Sequence, residues 1–213
     1  MTQEIIYSEK NKYKEELLRY FDSIPDYELY ELNDFSQVYN IENKNLSEFV
    51  KNNLKEYGST TKGYICKFQN INYIFIISKD ILYHEISHLV YREKINSLFV
   101  NYEIYKKYIV FIDEVIAECI SSKILGKSYN LEEYEFTLKS MRKLNKPSLA
   151  YYIGGYLGLK PKNVAFPKDF VTLANKIEKT IVFNKFTLID IRVNELITII
   201  KSIKQYNLER YNW

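Results

Sequence analysis

The sequence predicts an α+β fold, with a small mixed sheet in its first half and a mostly helical second half. Three observations carry this. Gly63–Phe68 and Ile71–Ser78 are apolar runs of strand length around a short turn at Gln69-Asn70. Most of the chain beyond them repeats its apolar residues at helical spacing. Only six Gly and four Pro punctuate 213 residues, so no long flexible linker is expected.

Taken in order, a helix is expected over Glu9–Phe21, stopping before Pro25, and a second over Leu46–Tyr57 with Gly58 as its stop. The two strands follow. Ile71–Ser78 leads directly into a helix starting near Lys79, and is expected to lie at the edge of the sheet. Further helices are expected near Phe111–Leu125, Leu131–Leu144, Ser148–Leu157, Asp169–Thr180 and Leu188–Lys204. The length suits one domain over 1–213, built from an N-terminal portion (1–60), a sheet with two site-bearing helices (61–126) and a helical portion (127–213).

Net charge is +3, and Lys and Arg cluster no more densely than in pairs, so neither nucleic acid nor a membrane surface is indicated as partner. Cys66 and Cys119 lack ligand-like spacing and read as free buried thiols. Met1-Thr2-Gln3-Glu4 shows no basic or apolar leader, and no apolar run reaches the roughly 18 residues of a membrane span. The expectation is a cytoplasmic protein. With 21 tyrosines in the chain, a tyrosine alone carries little information.

The densest chemical signal is His84-Glu85-Ile86-Ser87-His88, an HExxH motif holding both histidines of the chain. Residues i and i+4 of a helix lie one turn apart on one face, so two imidazoles there can bind one Zn²⁺, with the intervening glutamate beside it as general base. Leu82, Ile86 and Leu89 fall on another face and would anchor the helix in the core.

A catalytic zinc site takes three protein ligands and leaves a position open. No third histidine exists, so a carboxylate from a second helix is expected. Phe111–Ile120 is apolar nearly all round, yet carries Glu114 and Glu118 one turn apart, with Ala117 and Ser121 on their side. A lone buried carboxylate is costly unless paired or metal-bound. Glu114 is assigned as third ligand. Glu118 is placed behind the metal, accepting an imidazole N–H and fixing its tautomer. A solvent-facing stripe is the other reading of the two glutamates. Glu93 and Glu103 are further candidate ligands in less apolar settings, and Asp113 projects elsewhere.

The pair of segments, His84-Glu85-Ile86-Ser87-His88 followed by Glu114-Val115-Ile116-Ala117-Glu118, resembles the gluzincin branch of the zincin metallopeptidases (peptidase MA-like). The resemblance covers Ile71 to about Leu125, and implies a zincin-like fold and a peptidase with one Zn²⁺ per chain. It also touches Ala150-Tyr151-Tyr152-Ile153-Gly154-Gly155: related peptidases often carry a similar stretch whose tyrosine donates to the oxyanion. Tyr151 matches that pattern best and Tyr152 next, while Gly154-Gly155 could instead serve close helix packing. The implied reaction is hydrolysis of a peptide or protein substrate, with Glu85 taking the proton of a zinc-activated water. The substrate would bind by strand addition to Ile71–Ser78. Two other readings are a regulatory protease of the ImmA/IrrE type, with one protein target, and a non-catalytic binding protein on the same fold.

Overall fold

The sheet forms where the sequence places its β-branched and aromatic runs, but it holds two more strands than expected. The computed structural model describes residues 5–54, 61–99, 102–127, 146–162, 166 and 168–202. By its internal packing the chain divides into Met1–Leu89 and Val90–Trp213, and the division falls inside one continuous helix, Lys79–Ser97.

The first unit runs β1 (Glu9–Lys10), α1 (Lys14–Leu17), β2 (Tyr27–Glu31), a 3-10 helix (Phe35–Asn40), α2 (Lys44–Leu54), β3 (Gly63–Phe68), β4 (Ile71–Ile76) and the start of α3 (Lys79–Ser97). The sheet order is β1-β2-β4-β3. β2 runs parallel to β4, with Leu29 opposite Ile74, and β3 runs antiparallel to β4, with Ile65 opposite Ile74. Gln69 and Asn70 make the tight turn, both with positive φ (49° and 64°), as a two-residue hairpin loop requires.

Side chains alternate across a strand, which sorts the residues between two faces. Tyr30, Leu32, Tyr73 and Phe75 face a core completed by Val38, Ile41, Leu46 and Val50, against which Tyr64, Cys66 and Phe68 of β3 also pack. Tyr30 stacks on Phe75 with ring centroids 5.0 Å apart. Each large side chain buried there contributes about 1.5–3 kcal/mol of transfer free energy. Tyr27, Leu29, Ile74, Ile76 and Gly63 belong to the opposite face.

Two expectations fail here. The helix over Glu9–Phe21 shrinks to four residues, because Glu9 and Lys10 pair with Leu29 and Glu28 as β1. Asn11 and Tyr13 then turn the chain through positive φ (52° and 67°), and the Asn11 side chain is held by Asp26 and the Tyr27 N–H. The unforeseen β2 takes the open side of β4. Ile71–Ile76 is therefore an interior strand, not the edge strand expected before the motif helix. The edge is β3.

The second unit contains the end of α3, then α4 (Tyr102–Leu125), α5 (Lys146–Leu159), α6 (Lys168–Glu178), β5 (Ile181–Asn184), β6 (Thr187–Ile191) and α7 (Val193–Ser202). α6 buries Phe170, Ala174 and Ile177, and α7 buries Leu196, Ile197 and Ile200, each an amphipathic stripe. Tyr156 of α5 meets Phe166 and Phe170 edge-on, at 5.1 and 5.7 Å.

The second half is thus not wholly helical. The helix expected over Leu188–Lys204 begins only at Val193, and the residues before it complete a β5–β6 hairpin with Lys185 at φ 53° in its turn. α4 starts nine residues before the expected Phe111. The helix expected over Leu131–Leu144, and the end of the one expected to stop at Gly58, lie outside the described residues. Among the described residues no helix is long and apolar enough to cross a membrane. Cys66 and Cys119 are free thiols as expected; Cys119 is buried, whereas Cys66 is only half-buried. Burial pushes them up to about 12 and about 11, so both stay protonated at neutral pH.

Candidate metal centre

Helix α3 starts where β4 ends, and its first turns are held down from outside. Glu16 of α1 accepts from Lys79 Nζ at 2.6 Å and from the Tyr83 hydroxyl at 2.8 Å. The Lys79 hydrogen bond, then that of Tyr83, hold the Glu16 carboxyl below the usual carboxylate range. Burial, and then the bond to Glu16, push the Tyr83 phenol up. Tyr20 closes on Tyr83 edge-on at 5.8 Å. The residues just ahead of His84 therefore have little freedom.

All five motif residues are buried: His84 at 6% exposure, Glu85 at 6%, Ile86 at 0%, Ser87 at 1% and His88 at 3%. Ser87 returns its hydroxyl to the Tyr83 carbonyl at 2.7 Å. Leu82 and Ile86 are buried as the anchoring face requires, while Leu89 is half-buried. The His84 and His88 rings lie at 80°, and their Nε2 atoms approach to 3.0 Å. Two zinc–nitrogen bonds of about 2.0–2.1 Å at a tetrahedral angle place their nitrogens roughly 3.3 Å apart. The imidazoles thus converge at nearly the spacing of two ligands on one metal.

The Glu85 carboxylate lies against the first residue of the edge strand. A Cβ built on Gly63 would overlap Glu85 Oε1 outright, and would fall 3.0 Å from Glu85 Cδ.

Beyond the motif, α3 is fastened to its own unit. Tyr91 donates to the Phe186 carbonyl at 2.9 Å and Lys94 to the Leu188 carbonyl at 2.6 Å, so the β5–β6 hairpin clasps two turns of the helix. Arg92 Nε donates to Asp113 Oδ2 at 2.8 Å. Asp113 is buried and committed to that guanidinium, which accounts for a carboxylate that the helical projection turns away from Glu114. Glu93 is exposed, and the Glu103 side chain lies outside the described residues.

On α4 the apolar residues Phe111, Ile112, Val115, Ile116, Ala117, Cys119 and Ile120 are all buried. Glu118 is buried too, at 1% exposure, and accepts from the Ser122 hydroxyl at 3.1 Å. Glu114 is half-buried. Neither glutamate belongs to a fully solvent-facing stripe.

The partner of α4 is α5. A Cβ on Gly154 would come within 2.6 Å of the Val115 carbonyl and 2.7 Å of Glu118 Cβ. One on Gly158 would meet the Cys119 carbonyl at 2.6 Å and Ser122 Cβ at 2.7 Å. The contacts advance by four residues on both helices, so the two run parallel. Two glycines on one helix thus lie against Glu118 and Ser122 on the other. Gly154 serves close packing, as one of the two sequence readings has it. Tyr151, three residues before Gly154, falls on the α4-facing side and is half-buried, whereas Tyr152, two before it, falls on the far side and is buried.

His84, His88 and Glu114 each offer one ligand atom, and these atoms all lie within 4.8 Å of one another. Two imidazole nitrogens and one carboxylate oxygen make a donor set that suits a transition-metal ion, zinc among them. No family model matches the chain, and neither a curated protein nor a solved structure shows significant similarity to it.

Proposed function

We propose that this chain is a zinc-dependent peptidase of the zincin type, with His84, His88 and Glu114 as ligands and Glu85 as general base. One observation carries the proposal: two buried imidazoles, one turn apart, meet at 3.0 Å through Nε2 within ligand range of a carboxylate, and a buried glutamate stands between them in sequence. A purely structural zinc site closes with four protein ligands and needs no base. Three ligands and a spare glutamate favour the enzyme over a non-catalytic relative.

A metal ion held by His84, His88 and Glu114 would supply Lewis-acid polarisation of the scissile carbonyl and a lowered pKa for the attacking water. The residues do the rest. Glu85 accepts the proton of the water and passes it to the leaving amine. Glu118, buried one turn beyond Glu114, holds a ligand imidazole in its tautomer. Tyr151, on the α4-facing side of α5 by helical projection, is the first choice of donor to the oxyanion, and Tyr152 the next. The edge strand β3, in place of Ile71–Ser78, offers its open side to an extended peptide.

The test is a zinc-loaded Glu85→Gln variant assayed on a peptide library beside the parent. It should keep one zinc per chain and lose at least about 100-fold in hydrolysis. A variant that cleaves as fast as the parent, or a parent that binds no zinc, overturns the proposal.

A further inference from the structure

We infer that Gly63, the first residue of the edge strand, is a positioning residue that fixes the Glu85 carboxylate; this rests on the peptidase reading for its kinetic consequence, though not for the contact itself. Gly63 has ordinary extended backbone with no positive φ, so its conformation does not demand glycine. Glycine inside a strand costs about 0.5–1 kcal/mol relative to alanine. The reason for it here is space. A Cβ at this position would overlap Glu85 Oε1, and it would lie 2.5 Å from Ile81 Cγ2, so the neighbouring turn of α3 blocks the other way out.

Neither backbone can retreat. Gly63 is held in register opposite Ile76, and the Ile77 N–H donates to the Lys62 carbonyl at 3.1 Å. The first turns of α3 are tied to Glu16 through Lys79 and Tyr83. The strand backbone therefore forms a wall that the Glu85 carboxylate lies against. Any side chain at position 63 must push that carboxylate out of place while leaving the imidazoles, on their own face of the helix, untouched.

The experiment is a double-mutant cycle on the full chain with zinc: parent, Gly63→Ala, Glu85→Asp and the double variant, read by zinc content, kcat, KM and Tm. Gly63→Ala should keep one zinc per chain and a KM within about twofold, and should lose about 100-fold in kcat, the effect of an ångström-scale misplacement. The shorter aspartate leaves room for the Cβ, so adding Gly63→Ala to Glu85→Asp should cost less than about threefold more. Equal losses in both backgrounds, or a loss confined to KM, overturn the inference. If the parent cleaves no peptide, the peptidase reading fails by itself and Tm decides the contact. Gly63→Ala should then lower Tm in the parent and clearly less in a Glu85→Ala background, and equal lowering in both overturns it.

Discussion

Helices α3 and α4 both carry acidic side chains into apolar surroundings, but they accommodate them differently. On α3 the polar residues form a short pattern, and their local supports are a glycine backbone beside Glu85 and a tether at Glu16. On α4 the polar residues Glu118 and Ser122 are matched one turn apart by Gly154 and Gly158 of a parallel neighbour. The first arrangement is a five-residue pattern with local supports. The second is packing, and its logic appears only when the opposing helix is known. Substitutions at the glycine contacts between α4 and α5 should therefore act first on stability, and those beside Glu85 first on the placement of its carboxylate.

The sharpest way to break that contrast is Gly154→Val. Its Cβ would collide with the Val115 carbonyl, a backbone atom that cannot swing aside, so about 3 kcal/mol of stability should be lost in denaturant unfolding. A variant as stable as the parent would refute close α4–α5 packing. Next comes the tyrosine pair. Tyr151→Phe should lower kcat about 100-fold with little change in stability, as loss of an oxyanion donor does, while Tyr152→Phe should leave kcat within about threefold. The reverse ranking would dissolve the distinction between the two faces of α5.

The smallest effect concerns the tether. Glu16 has its carboxyl pKa lowered on folding, so its contribution exists above the unfolded value of about 4.3 and is lost as pH falls through the folded one. Glu16→Gln should cost less than about 1 kcal/mol near pH 7, the range of a partly exposed ion pair, and progressively less as pH falls through the folded pKa. Thermal unfolding of both proteins across that range checks it. A difference that persisted in acid would mean that the carboxylate charge is not what holds α3.

How much could be read in advance follows the same division. The motif helix, the β3–β4 hairpin and its Gln69-Asn70 turn were legible because each rests on neighbours in sequence. Glu114 and Glu118 stood out because charged groups rarely sit among so many apolar ones. β2 was not legible: Tyr27-Glu28-Leu29-Tyr30-Glu31 sets its charges three residues apart, without the alternation that marks a half-buried strand, and it becomes a strand by pairing with β4. That single omission moved the sheet edge to the wrong strand. The β5–β6 hairpin escaped because short runs such as Ile181-Val182-Phe183 fit either period. Asp113 found its partner Arg92 only through the approach of two helices. Gly63 read only as the first residue of a strand, since nothing local to it mentions Glu85.

The insertion of β2 beside β4 also orders events during folding. β3 and β4 meet across a two-residue turn, and such a hairpin closes in roughly 1–10 μs. β2 must reach β4 across the 3-10 helix, α2 and β3, a closure whose entropy is spent before its contacts repay it. Until that closure is made, β4 exposes an open edge of Ile-Asn-Tyr-Ile-Phe-Ile, the kind of apolar strand on which newly made chains associate. The docking of β2 is thus the step that covers this edge and completes the sheet.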